Sequence, residues 1–391
     1  MLNLKKWFVR WGIPVVLLAV FVIFTVYINQ VDKVALVNRE GQTFEKGVVT
    51  EILQDNLQPN GTRVGEQRVL VRLTTGVRAG QELETTSASG FLFGAGCTVG
   101  MRVVVMQSVA GDSTITSVYS QDREWVIYAF AAAYLVVLCL VGGKQGIKGA
   151  LGLVFTFFCI LFVYLPLVYR GLSPFWVSVF ICVITTLVTM YLIGGPTRKT
   201  LVATGGTVAG VVIAGISATI FSMATGITGW NVSDIESLLT LASTSGVQVG
   251  GLLFSGLLIS SLGAVMDVAM SIGSAIAEIH AQNPALSRGE LFKAGMHVGR
   301  DMMGTDSNTL ILAFAGGSIS MLVLDYAYNL PYQQIINSNN IGIAIMQGLS
   351  GSFGIVLAVP VTVALAVALY TWKRPNRAET APAEDASRQT R

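Results

Sequence analysis

Apolar residues follow two different rhythms along this chain. Continuous apolar runs, each near the roughly 20 residues a helix needs to cross a bilayer, occupy Gly12–Ile28, Trp125–Val141, Ile147–Val168, Pro174–Ile193, Leu201–Phe221, Val247–Met270, Met303–Leu324 and Gly342–Tyr370. Pro360 in the last run predicts a tilt or kink. Between the first two runs the rhythm changes to period two. Val69, Val71 and Leu73 alternate with Arg68, Leu70 and Arg72; Val99, Met101, Val103 and Val105 repeat the pattern, as do Val48, Thr50 and Ile52. Alternation of this kind marks half-buried strands. Turn residues at Pro59-Asn60-Gly61, Thr75-Gly76 and Gly111-Asp112 separate them. About five or six short strands predict a small barrel of the OB type, here without an obvious aromatic stacking face.

The expected fold is a polytopic α-helical membrane protein of about eight transmembrane helices, with a small extracytoplasmic β-barrel-like domain after the first. The expected divisions are an N-terminal anchor over 1–28, the β-rich domain over 29–123, a transmembrane domain of about seven helices over 124–372 and a disordered cytoplasmic tail over 373–391. Composition agrees: 52% of the 391 residues are apolar and 12% charged, about half the charge of a soluble domain.

Lys and Arg set the orientation. Lys5, Lys6 and Arg10 precede the first run, and Lys144 and Lys148 follow the second. Arg198 and Lys199 follow the fourth, Arg288, Lys293 and Arg300 the sixth, and Lys373, Arg374 and Arg377 the eighth. The opposite short loops hold Arg170 as their one cation, with Asp234, Glu236 and Asp325 as acids. Both termini are therefore expected in the cytoplasm, in a bacterial cell membrane. The first run has the basic start of a signal peptide but lacks a small-x-small cleavage site over Ile28–Ala35, so it is read as an uncleaved anchor.

Ionisable residues inside spans are functional candidates because lipid makes them costly. At 100° per residue, Ser260, Gly263, Asp267, Ser271, Ser274 and Glu278 share one helix face, opposite Val265, Val268, Ala269 and Ile272. A second cluster, Arg300, Asp301, Thr305, Asp306 and Asn308, opens the seventh span. Asp301, Thr305 and Asn308 share a face there, with Asp306 about 100° away from Thr305. If the two stripes meet, they offer hard oxygen donors for a cation or a proton. Met266, Met270, Met302 and Met303 add thioethers that suit a softer metal or, more simply, packing. The plainer alternative pairs Arg300 with Asp301 and leaves the Ser, Thr and Asn groups holding helices together.

Other chemistry finds little footing. His280 and His297 stand far apart, and Cys97, Cys139, Cys159 and Cys182 form no CxxC or Cys/His metal spacing. HExxH, GxSxG and GxxxxGK[ST] are all missing, and Gly304-Thr305-Asp306 lacks the Gly-x-Gly-Asp of intramembrane aspartyl proteases. Neither an enzyme, a cofactor nor nucleic-acid binding is expected; the net charge is +3. Gly206-Thr-Val-Ala-Gly210 and Gly246-Val-Gln-Val-Gly250 read as helix-packing motifs, and Gly316-Gly317-Ser318 as a place of close backbone approach.

The segments Gly263-Ala-Val-Met-Asp-Val-Ala-Met-Ser-Ile-Gly-Ser-Ala275 and Gly299-Arg-Asp-Met-Met-Gly-Thr-Asp-Ser-Asn-Thr-Leu-Ile-Leu-Ala313 resemble the YibE/F-like family of bacterial multi-pass membrane proteins. The resemblance runs roughly from Gly47 to Tyr370. Asp306 departs from the family pattern, which more often has an apolar residue, commonly Met, at this position; that ranks Asp267, Arg300, Asp301 and Asn308 ahead of it. The resemblance implies a membrane protein suspected of transport and supplies no substrate. The expected function is a secondary transporter or permease for a small solute or cation, with proton coupling open. The alternative is a non-transporting envelope scaffold whose barrel binds a partner. Oligomeric state is left open, a homo-oligomer included.

Overall fold

The computed structural model describes residues 13–31, 41–88, 94–110, 113–232 and 235–371. The basic residues at both ends, the tail, Asp234 and the Gly111-Asp112 turn lie outside them. The chain divides into two compact units, Ala35–Val141 and Met1–Val34 with Gly142–Arg391.

In the first unit, five strands close into a barrel in the order β1-β2-β3-β5-β4. They are β1 (Gln42–Gln54), β2 (Gln67–Leu73), β3 (Glu82–Ser87), β4 (Arg102–Ala110) and β5 (Ser113–Gln121). β1 pairs antiparallel with both β2 and β4, and β3 meets β5 in parallel. Val69, Val71, Leu73, Val103 and Val105 point inward as their alternation predicts, while Val99 is exposed. In β1 the expected phase is off by one. Val49 is buried where Val48 and Thr50 were expected, and Ile52 returns to the core because the register shifts between Val49 and Glu51. A bulge of this kind adds a residue to one strand and turns the following side chains over. Gln67 spans the buried interior: its Oε1 accepts from the Cys97 backbone N–H at 2.8 Å and its Nε2 donates to the Cys97 carbonyl at 3.1 Å. Burial pushes the free Cys97 thiol up. Outside, Arg68 pairs with Glu84, and Arg72 with Glu82 at 2.9 Å. Phe44 and Tyr119 meet edge to face on the exposed wall, an aromatic pair that the alternation pattern did not reveal.

Helix α2 (Glu124–Cys159) begins in this unit, and its φ/ψ leaves the helical region at Gly143 (φ 52°, ψ −132°), where glycine alone adopts the turn cheaply. Beyond Gly143 lies the second unit. A π-helical turn (Ile160–Tyr164) continues into α3 (Leu165–Tyr169). Pro166 has no N–H to give this turn. The Asn29 side chain, at the end of α1 (Ile13–Asn29), donates to the Phe162 carbonyl within it at 2.7 Å. Arg170 closes the same helix end, donating to the carbonyls of Tyr27 (2.8 Å), Ile28 (3.1 Å) and Gln30 (3.0 Å). The lone cation of the opposite loops is thus a C-terminal helix cap.

The remaining helices are α4 (Pro174–Gly194), α5 (Arg198–Thr225), α6 (Ile235–Ser245), α7 (Leu252–Gln282), α8 (Arg288–Gly317), α9 (Ile319–Ala327), α10 (Tyr332–Ile336) and α11 (Asn339–Thr371). Their core joins Val202 of α5, Val265, Val268 and Ile272 of α7, Leu310 of α8, and Val359 and Val363 of α11. α11 runs through Pro360 as one helix. Among the described residues five helical segments are long and apolar enough to cross a membrane: Glu124–Tyr169, Pro174–Gly194, Arg198–Thr225, Val249–Gln282 and Asn339–Thr371. The pair α8 and α9, bent by 56°, makes a sixth if taken as one span. Met303–Leu324 is therefore not the straight helix its apolar run predicts. It breaks at Ser318, after two glycines that hold a helix poorly. Those glycines face open space rather than a neighbouring backbone. Gly206 and Gly210 do pack closely, on Thr362 and on Val265 and Ala358. Gly246, by contrast, precedes α7 in a turn with φ +75°.

Candidate functional site

Packing fixes how α7 is rotated. Val265, Val268, Ala269 and Ile272 are fully buried, so the opposite stripe faces outward. Ser260, Gly263, Asp267 and Glu278 are exposed, with Ser271 and Ser274 half-buried. Helix α8 is fixed by Gly295, Gly299 and Leu310, which are buried against Ile276, Val359 and Gly351. Asp301, Thr305 and Asn308 therefore also face outward, as does Arg300. The expected meeting of the two stripes takes a different form: they run on neighbouring helices and both look away from the core. Ser260, Ser274 and Thr309 spend their hydroxyl protons on carbonyls of their own helices, those of Leu257, Met270 and Thr305.

Asp306 is the exception. Its 100° offset turns it toward the bundle, where Oδ2 is enclosed without a hydrogen-bond partner. Asp267 lies within electrostatic reach of it. The resemblance ranks Asp306 behind Asp267, Arg300, Asp301 and Asn308, yet among these it is the residue with an enclosed, unpartnered side-chain oxygen. Beside it, Ser307 has an equally enclosed and unpartnered Oγ, and its carbonyl accepts from Ser352 of α11 at 3.4 Å. Nothing in the sequence singled out Ser307, because a serine next to Asp306 looks like any helix-gluing hydroxyl. Arg300 and Asp301 form no ion pair with each other.

Two carboxylates with adjacent hydroxyls can hold a proton or contribute to a cation site. Among the described residues no three His, Cys, Asp or Glu side chains gather to hold a metal. Met266 and Met303 pack against apolar clusters. Asp325, expected in a loop, is buried in the last turns of α9 with Oδ2 unpartnered. Tyr164 and Ser255 share a buried hydrogen bond at 2.5 Å.

Comparison with known proteins bears on the helices. No curated protein and no solved structure matches the chain. Residues 130–372 match the family described as YibE/F-like protein. The match includes both helices of the site and begins after the barrel, so the resemblance is shorter than the stretch from Gly47 that sequence inspection gave. The apolar helices and this match together make the chain a membrane protein, and it belongs to the YibE/F-like family.

Proposed function

We propose that the chain is a secondary transporter or permease for a small cation or solute, working in a bacterial cell membrane. The observation that carries this reading is a carboxylate on each of two packed neighbouring helices, Asp267 on α7 and Asp306 on α8, with Asp306 Oδ2 enclosed and unpartnered. A central membrane Asp costs roughly 2.5–3.5 kcal/mol on insertion scales. A helix that only needed to pack would have no use for one. Flux into proteoliposomes, measured across protons, metal cations and small metabolites, tests the reading; a reconstituted chain that moves none of them contradicts it.

The same reading takes eight spans. Glu124–Tyr169 is 46 residues long, about 69 Å as a helix against a hydrocarbon core of about 30 Å. Its break at Gly143 makes two spans of it. α1, docked by Asn29 and Arg170, is an uncleaved first span, and α8 with α9 is a broken seventh. Both termini then lie in the cytoplasm and the barrel outside. Its 1-2-3-5-4 strand order supports the OB type.

A cleft of about 410 Å³ in the barrel unit favours the scaffold reading as a second possibility. Lys46, Arg102, Asp122, Glu124, Trp125 and Tyr128 line it, with Lys46 paired to Glu124 and 3.9 Å from Asp122, so Arg102, Trp125 and Tyr128 are the groups it offers a partner. Deleting the barrel while keeping the helices separates the two: transport survives in one and partner binding is lost in the other.

A further inference from the structure

The cleft in the barrel unit forms where the barrel runs into the first turns of α2. Arg102 opens β4, opposite Val48 of β1. Val103 and Val105 fill the core, so Arg102 points out. The Asp122 backbone N–H donates to the Arg102 carbonyl at 2.9 Å, and Asp122 Oδ1 accepts from the Glu124 N–H at 3.2 Å. These bonds set the start of β4 beside the start of α2. There Trp125 and Tyr128, three residues apart, share one side of the helix. All three side chains line the same space of about 410 Å³, within the range of small-molecule sites. The charges around it are not equally free. Lys46 pairs with Glu124 and lies 3.9 Å from Asp122. Arg102 has no ion pair among the described residues.

The cleft also stands at a boundary. From Trp125 to Gly143, α2 carries no charged residue. In a membrane protein a Trp and a Tyr at the head of such a run sit at the depth of the lipid headgroups. We propose that the cleft holds a phospholipid by its phosphate. The Arg102 guanidinium donates to the phosphate oxygens, and Trp125 and Tyr128 lie along the glycerol and the start of the acyl chains. A guanidinium matches a phosphate bidentately, and both aromatic side chains offer an apolar body with a polar tip. One free cation beside two aromatic rings suits a single phosphate on an apolar molecule. An acidic peptide would need further cations, and Lys46 is already committed to Glu124. The inference uses the cleft alone: a chain that holds this lipid can transport or scaffold.

Native mass spectrometry of the full chain in detergent tests it. The probe is phosphatidylglycerol, set against diacylglycerol with the same acyl chains and against inorganic phosphate. Arg102→Gln and Trp125→Ala alter the cleft; Arg123→Gln, an exposed cation that does not line it, is the control. The parent and Arg123→Gln should bind phosphatidylglycerol alike, and Arg102→Gln and Trp125→Ala about tenfold more weakly. Inorganic phosphate should not displace the lipid, and diacylglycerol should not replace it. Arg102 and Trp125 are both exposed, so each variant should keep the parent's melting temperature, and either one alone gives the reading. Equal affinity in the parent and the two cleft variants overturns the inference. So does an equal loss in Arg123→Gln, which makes the effect one of general surface charge. Displacement by inorganic phosphate, or equal binding of diacylglycerol, overturns it as well, the first in favour of a free anion and the second of an acyl chain. None of these outcomes involves flux, so the transport reading stands or falls separately.

Discussion

The side-chain amide of Asn29 donates at 2.7 Å to the carbonyl oxygen of Phe162, inside the π-helical turn that Pro166 leaves one N–H short. This single bond ties the end of the first helix to an irregular turn 133 residues away in the chain. Asn29→Ala should lower the stability of the detergent-solubilised protein by about 1 kcal/mol. In a Pro166→Ala background the restored N–H is available to the turn's own carbonyls, so the same substitution should cost less. Equal losses in both backgrounds, read from thermal unfolding, would remove the compensation.

Gly210 lets α5, α7 and α11 meet. A Cβ there would stand 2.5 Å from Val265 Cγ1 and 3.0 Å from the Gly354 carbonyl oxygen, and that backbone atom cannot rotate away. Gly210→Ala should therefore destabilise the bundle by about 1–3 kcal/mol. A melting temperature unchanged from the parent would contradict the packing described.

The barrel buries its own apolar face, so 29–123 expressed alone should fold as a soluble β-rich domain. A circular dichroism spectrum dominated by helix or coil would count against this. Its acid sensitivity carries a specific signature. Partial desolvation pushes the Asp55 carboxyl up, but hydrogen bonds from Arg63, at 2.8 Å, and from the Asn56 backbone hold it below the usual aspartate value. A depressed folded pKa stabilises above the unfolded pKa of about 3.9 and loses that contribution as pH falls below it. Asp55→Asn should flatten the fall in stability below about pH 4.

Orientation is testable by labelling. Cysteines at Asn60 and Ser287, both exposed, should react from opposite sides of intact cells once the native cysteines are replaced. Reaction of both from one side contradicts eight spans.

The sequence made the broad architecture readable because lipid and a small barrel impose different periods. Val69, Val71 and Leu73 showed their face directly; β1 did not, because a bulge leaves no mark on an alternating pattern. The break at Ser318 was hidden inside an apolar run whose glycines fit close packing equally well. At the site, helical angles put Asp267 and Asp306 on the correct faces of their own helices. They did not say which face turns inward, since that depends on Val265, Ile272 and Leu310 finding α5 and α11. Departure from the family pattern ranks Asp306 behind Asp267, Arg300, Asp301 and Asn308, yet its Oδ2 is the carboxylate oxygen enclosed between α8 and its neighbours.

Flux through Asp267→Asn proteoliposomes tests the central claim most directly. Asn keeps the shape of Asp and removes the charge, so insertion and folding should persist, as judged by an unchanged elution profile and melting temperature. The transport reading predicts that this well-folded variant loses the flux that the parent chain shows. A variant that folds and transports as well as the parent would take Asp267 out of the mechanism and favour the scaffold.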